Sequence, residues 1–432
     1  MLLAIDDTDG KAGGCTTHLA FHVLLALPQL ALRGMPRLVR LNPNVPWKTR
    51  GNGAVVLPLG LPEGPQVRVG ELRGREILAF PDGRPARPTP EMLERVWKVV
   101  QGEAQPDAEP AAALLPDAPP AWAYWQAVRS VVEIAEAREA LDAAGALHRS
   151  AADGRGLVGC LGASAWPGPP ASHEVIAYRH PSRWGSERAV DPTPLLGLDA
   201  AGATFHTSDP EEGRLACVPH TPDPVLCGLR GRDPDALRDA ALRALALACK
   251  EEVDGWLLWA TNQASGDHVT PVADLGEAPA MATVEVEATV REMPDARRGG
   301  HVFVEVEDGA GHTFKAAAFE PTKRFRDAVR ALRPGDRAAF LGALRDDVVQ
   351  LEKMRVDSLA ASRTKTGNPR CPSCGKAMKS AGRGAGYRCK GCGTEAPAEA
   401  GGFQEEPRGL ALGWHEVPVI ARRHLHRPAG WT

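Results

Sequence analysis

Leu2-Leu3-Ala4-Ile5-Asp6-Asp7-Thr8-Asp9-Gly10, followed by Gly13-Gly14-Cys15-Thr16-Thr17, sets the terms for the rest of the chain. The apolar run from Leu2 to Ile5 reads as a short buried strand. Asp6, Asp7 and Asp9 cluster where that strand ends. Residues 18–27 read as a mostly apolar helix stopped near Pro28, with Thr16 or Thr17 expected as its N-cap. Clustered carboxylates suit a hard cation such as Mg²⁺. A helix N-terminus offers free N–H groups and a favourable dipole to phosphate. The layout therefore suits nucleotide-triphosphate chemistry, although an acidic turn before a capped helix has the same appearance. It is not a P-loop, since no G-x-x-x-x-G-K-[ST] occurs.

Residues 37–41 and 54–57 read as strands and 90–100 as an amphipathic helix, an order that hints at an α/β sandwich. Between the strands, Trp47-Lys48-Thr49-Arg50-Gly51-Asn52-Gly53 offers cations, backbone N–H groups and an aromatic face to a nucleotide. A Pro/Gly turn carrying surface cations would look the same. Residues 106–120, rich in Ala and Pro, read as a solvated loop. Residues 121–144 resume a helical pattern, and 156–165 leave helix and strand unresolved.

A second unit is expected over 150–275, with strands at 174–179, 223–231 and 256–260, a further one at 203–206, and a helix at 235–249. The polar run Thr261-Asn262-Gln263 behind it reads as a ligand-holding loop or, preferred, a hydrogen-bonded turn. Residues 283–290 and 301–306 alternate with period two. With strands at 312–319, 336–344 and 348–356 and a helix at 322–332, the order over 280–360 is that of an OB-fold β-barrel.

Cys371-Pro-Ser-Cys374 and Cys389-Lys-Gly-Cys392 carry the sharpest local signal. Four thiolates at this spacing close a tetrahedron around Zn²⁺ and leave no open position, so the metal is expected to be structural. From 363 to 390 lie eight Lys or Arg and no acid. Lys376, Lys379, Arg383, Tyr387, Arg388 and Lys390 are therefore candidates for contact with an RNA backbone, extended by Arg422 and Arg423 of the tail.

With 432 residues the chain exceeds one ordinary domain. Its net charge of −3 confines any nucleic-acid surface to local patches. No apolar run reaches membrane-spanning length, and no secretory signal pattern opens the chain. Nine cysteines, four of them in the two paired knuckles, point to a reduced cytoplasmic setting rather than a disulfide framework.

Taken together, Ile5-Asp6-Asp7-Thr8-Asp9, Cys15-Thr16-Thr17, Arg40-Leu41-Asn42-Pro43, 48–55, Ile176-Ala177-Tyr178-Arg179, Asp223-Pro224-Val225-Leu226, Arg230-Gly231, Thr261-Asn262-Gln263 and the paired knuckles resemble the archaeal tRNA(Ile) 2-agmatinylcytidine synthetases over nearly the whole chain. The resemblance implies a multidomain α+β protein: a kinase-like domain over 1–135, a ferredoxin-like domain over 150–275, an OB-fold over 280–360, and a zinc ribbon with a basic tail over 365–432. It implies an ATP-dependent ligase whose partners are agmatine and the isoleucine tRNA with a CAU anticodon. The base oxygen at C2 of the wobble cytidine is phosphorylated and then displaced by agmatine, forming agmatidine, so that the tRNA reads AUA. Thr16 matches the family's phosphorylated threonine. Asp6, Asp7 and Asp9 would hold Mg²⁺, and Thr17, Lys48, Arg50, Asn52, Gly53 and Arg230 would hold ATP or RNA. Agmatine is a dication, which makes Glu174, Asp191 and Asp223 candidates for its pocket. Gly14 stands where the family usually has methionine. Readings of other classes are a non-enzymatic OB-fold and zinc-ribbon binder of nucleic acid, and a metal-dependent phosphatase or nuclease.

Overall fold

The computed structural model describes residues 1–382 and 384–431. Its first strand, Leu2–Asp6, lies inside a 12-stranded sheet, antiparallel to Gly53–Leu61 on one side and to Ala111–Leu115 on the other. The strand's period-two alternation feeds two cores. Leu3 and Ile5 pack with Leu19, Phe21, Leu93 and Trp97 from helices Thr16–Ala26 and Pro90–Glu103. Ala4 faces Tyr124, Leu141, Leu157 and Leu161 from helices Trp122–Arg129, Ile134–Ala143 and Gly156–Ser164. An α-β-α sandwich thus fixes the acidic turn at the strand's end.

Two expectations fail here. The segment 106–120 is not a solvated loop throughout: Ala111–Leu115 is completely buried and pairs along all of the first strand. A run of alanines carries little hydropathy, yet small side chains are what close packing needs. A Cβ on Gly156 would meet the Ala111 backbone nitrogen at 2.8 Å. Strand Leu147–Ser150, beyond the expected boundary at 135, pairs with Ala111–Leu115 and extends the same sheet. Residues 156–164, open between two readings, are helical. Gly159 is obligatory there, because a Cβ would fall 1.8 Å from Asp6 Oδ2.

Ser172–Arg179, Val225–Gly231 and Val253–Thr261 run antiparallel and pack against helix Pro234–Ala248. Residues 203–206 form no strand, only a single bridge from Phe205 to Arg230. This unit is continuous with the first. Arg37–Arg40 pairs in parallel with Val253–Thr261, and Val67–Leu72, a strand the sequence did not signal, pairs antiparallel with it.

Thr283–Val290, Val302–Asp308, Thr313–Ala318, Arg337–Arg345 and Val348–Ser358 form a closed β-barrel. Thr283–Val290 pairs with both its second and fourth strands, and the third pairs in parallel with the fifth. The tail does not stay with the ribbon. Gly413–Glu416 returns to the barrel and pairs with Val348–Ser358. The ribbon carries three two-residue strands over a core of Cys371, Met378, Tyr387 and Cys389. The chain is thus a multidomain α+β protein with a β-barrel and a C-terminal ribbon. No helix among the described residues is long and apolar enough to cross a membrane.

Candidate active site

The acidic turn opens into a hollow lined by Asp6, Asp7 and Asp9, by Trp47, Lys48, Arg50, Asn52 and Gly53, and by Arg155. Burial, then the charge of Asp7, pushes the Asp6 carboxyl well above its ordinary range. Burial and the charge of Asp9 raise Asp7 to about 6. Burial also raises Asp9, although the Arg50 guanidinium opposes it. Carboxylates this poorly compensated fit a cation. Asp7 has φ 54°, a left-handed conformation that Asp and Asn adopt more readily than other side chains.

Arg50 ties the basic loop to the acidic one. It pairs with Asp9 and donates to the Gly14 carbonyl at 2.9 Å. Gly14 suits its place: φ is 79°, and a Cβ would meet Gln105 Cγ at 2.8 Å. Lys48 donates to the Val45 carbonyl at 2.8 Å, and Asn52 to the Asn42 carbonyl at 3.0 Å. Trp47 is half exposed and carries the Arg155 guanidinium over its ring at 4.2 Å.

On the far side of the Arg50–Asp9 pair lies a second hollow, lined by Thr16, Thr17, Arg40, Glu174, Asp223, Arg230 and His424. Thr16 is the first residue of its helix rather than the cap. Cys15 takes the N-cap position without a side-chain bond, and the Thr16 hydroxyl lies 2.9 Å from that of Thr8. Thr17 contacts the Cys15 sulfur at 3.0 Å. Glu174 pairs with Arg230 at 3.1 Å and accepts from Gln263 at 2.6 Å, while Asp223 pairs with Arg188 at 3.2 Å. Asp191 is not part of this site. It is partly buried, accepts from the Thr193 backbone at 2.9 Å, and its nearest cation is Lys250 at 3.9 Å. Its carboxylate is spent on the turn that starts at Pro192.

Several participants were given no site role from the sequence. Asn262 receives the Arg40 N–H at 2.7 Å and donates to the Arg40 carbonyl at 2.8 Å. Gln263 couples Glu174 to His424, whose Nδ1 is 2.9 Å away. The polar run at 261–263 is therefore a turn that also ties together Arg40, Glu174 and His424 of the second hollow. Arg40 Nε is buried without a hydrogen-bond partner among the described residues. His424 arrives from the tail, and a Cβ on Gly51 would meet its ring at 2.7 Å.

The tail does not extend the ribbon's surface. Arg422 pairs with Glu416 at 3.3 Å and Arg423 with Glu352 at 3.0 Å. Both line a basic hollow with His206, Arg214, Arg230 and His424, beside the cleft. In the ribbon Lys376, Lys379, Arg388 and Lys390 are exposed. Tyr387 is not an exposed platform: it is 4% accessible, because so small a unit needs its one tyrosine as core. Arg383 lies outside the described residues. The four sulfurs of Cys371, Cys374, Cys389 and Cys392 lie within 4.8 Å of one another, with the closest pairs at 3.4 Å. Those separations are too long for a disulfide and near the ~3.8 Å edge of a tetrahedral Zn–S₄ centre.

Residues 2–153 match the model of the TiaS TCKD domain, 154–268 that of the TiaS FLD domain, and 368–408 that of the TiaS C-terminal zinc ribbon domain. The tRNA(Ile) 2-agmatinylcytidine synthetase TiaS of Methanosarcina mazei is 35% identical, the match covering 99% of this chain and 96% of that one. The chain belongs to the tRNA(Ile) 2-agmatinylcytidine synthetase family. Another member of that family, from Archaeoglobus fulgidus, is 36% identical over the same shares of both chains. A crystal structure of a TiaS complex with its isoleucine tRNA and ATP superposes with TM-score 0.79 at 32% identity. A complex of TiaS with that tRNA, AMPCPP and agmatine superposes with TM-score 0.78 at 31% identity. Each covers 99% of this chain and 96% of the other.

Proposed function

We propose that the chain uses ATP to attach agmatine to C2 of the wobble cytidine of the isoleucine tRNA with a CAU anticodon. The observation that carries this is the division of one cleft by the Arg50–Asp9 pair, with uncompensated carboxylates on one side and Thr16, Glu174 and Asp223 on the other. ATP belongs in the first hollow. Asp6, Asp7 and Asp9 would hold Mg²⁺, which neutralises developing phosphate charge, while Lys48 and Arg50 approach the phosphates. The flipped cytidine and the amine belong in the second. There the base oxygen gains a phosphoryl group and later leaves with it, as the primary amine of agmatine forms the new C–N bond and loses a proton. Glu174 and Asp223 suit the dication, and Thr16 is the residue we assign as phosphoacceptor. The anticodon loop can deliver the base at modest unstacking cost.

The finer architecture follows the same reading. The sandwich around residues 2–6 serves as the kinase-like domain, the unit around 172–261 as the ferredoxin-like domain, and the barrel as an OB-fold, whose strand order it has. Zn²⁺ on the four cysteines folds the ribbon. Its exposed cations grip the tRNA away from the cleft, while Arg422 and Arg423 face RNA at the cleft itself. A reduced cytoplasm suits the free thiols. A pure binder would leave the acidic turn idle, and a hydrolase would need neither agmatine nor ATP. The deciding experiment supplies protein, ATP, Mg²⁺, agmatine and the CAU-anticodon isoleucine tRNA, then weighs the digested nucleosides. A wobble cytidine whose mass rises by agmatine minus water supports the reading, and unmodified cytidine overturns it.

A further inference from the structure

Beneath the glycine loop, meeting the cleft at Cys15, lies a hollow that the proposed reaction does not use. Its lining includes Gly14, Cys15, His18, His22, Glu103 and Trp184. His18 and His22 are four apart on helix Thr16–Ala26, so both imidazoles leave the same face. Glu103 ends helix Pro90–Glu103, which packs alongside. Each of the three brings one donor atom to within 4.8 Å of the other two. His22 Nδ1 sits 2.6 Å and 2.8 Å from the two Glu103 oxygens.

His18 supplies the independent observation. It is 3% accessible, and its Nε2 is buried without a hydrogen-bond partner among the described residues. Its ring is held on three sides by Phe21, Tyr178 and Trp184, with Trp184 edge-on at 5.3 Å and 90°. A buried imidazole nitrogen without a partner is costly unless something binds it. Aromatic packing fixes the ring without satisfying it.

We propose that His18, His22 and Glu103 form a binding site for a first-row divalent transition ion, Zn²⁺ being the probe ion. Two borderline imidazole donors beside one carboxylate suit zinc far better than Mg²⁺. Bonds of ~2.0 Å need donors about 3.3 Å apart. His22 and Glu103, whose side chains are 28% and 35% accessible, have room to part by that amount. Three protein ligands leave a fourth position for water from the open hollow. The ion would clamp the end of the second helix to the first turn of the helix that presents Thr16. This site stands apart from the cysteine ribbon, so zinc stoichiometry separates the two.

The test is metal content of the full chain, stripped with chelator, reloaded with Zn²⁺ in a large excess of Mg²⁺ that keeps zinc off the acidic turn, desalted and counted by mass spectrometry. Wild type should hold two equivalents. His22→Ala and Glu103→Gln, both at accessible positions, should each hold one, with circular dichroism unchanged. Zinc-edge anomalous diffraction should place the second ion between His18 and His22. One equivalent in wild type, or two retained by folded His22→Ala and Glu103→Gln, overturns the site.

Discussion

In the ribbon, four ligand atoms come from two tetrapeptides and meet within 4.8 Å. In the cleft, the groups that meet come from every part of the chain. Asn262 grips Arg40 across 222 positions, and His424 reaches Gln263 across 161. The ribbon carries its own chemistry in its spacing but has almost no core, so its order depends on an ion. The cleft is held by two large apolar cores and a continuous sheet, so its mutually repelling carboxylates persist without one. One region has its ligand atoms gathered with little else to hold them; the other has its carboxylates fixed by the fold around them.

The largest effect expected from breaking this contrast is at Asp7. Asn keeps the left-handed backbone at φ 54°, so Asp7→Asn should fold as wild type. Formation of the modified nucleoside should fall roughly 10²–10³-fold, with tRNA affinity unchanged. Undiminished turnover by the folded variant removes the metal–phosphate assignment.

A smaller effect is expected where the tail docks. Burial alone would raise the Glu352 carboxyl, but Arg423 and His268 overcome it and hold it down at about 2, against an ordinary 4.5. A depressed carboxyl stabilises the fold fully above its unfolded value, and that contribution is lost as pH falls from about 4.5 toward 2. Glu352→Gln should therefore cost about 3 kcal/mol at pH 7. Urea titrations should show the gap narrowing at pH 3. A gap independent of pH contradicts the ion-pair account.

The smallest expected change is on the ribbon's surface. Lys376 is exposed, so Lys376→Ala should leave stability alone and reduce the salt slope of tRNA binding by roughly one. Filter binding at several salt concentrations reads this directly, and an unchanged slope takes Lys376 out of the grip.

What the sequence disclosed follows the same divide. The first strand, the acidic turn, the barrel's alternation and the paired knuckles are local patterns, and each was legible. Residues 111–115 were misread because alanine is too small to signal burial, although burial under glycine-rich helix 156–164 is why alanine stands there. Arg40 and Asn262 were legible only as parts of motifs; their roles, and that of His424, were not, since their partners are far away along the chain. Tyr387 and Asp191 looked functional by type, but one is core and the other caps a turn. The tail's cations looked like an extension of the ribbon because charge is read from sequence, while the strand at 413–416 that carries them back to the barrel is short.

The division of labour itself is tested most directly by Cys389→Ser, with Thr16 phosphate and tRNA affinity measured on the same preparation. Loss of one thiolate should unfold the ribbon and scatter its exposed cations. The affinity for tRNA should then fall by roughly an order of magnitude or more at moderate salt, with a flatter salt dependence. Phosphate from ATP should still appear on Thr16 by peptide mass mapping, because the two cores beside it do not include the ribbon. Loss of Thr16 phosphorylation in a protein whose N-terminal sheet remains folded would contradict the account, as would wild-type affinity and salt slope.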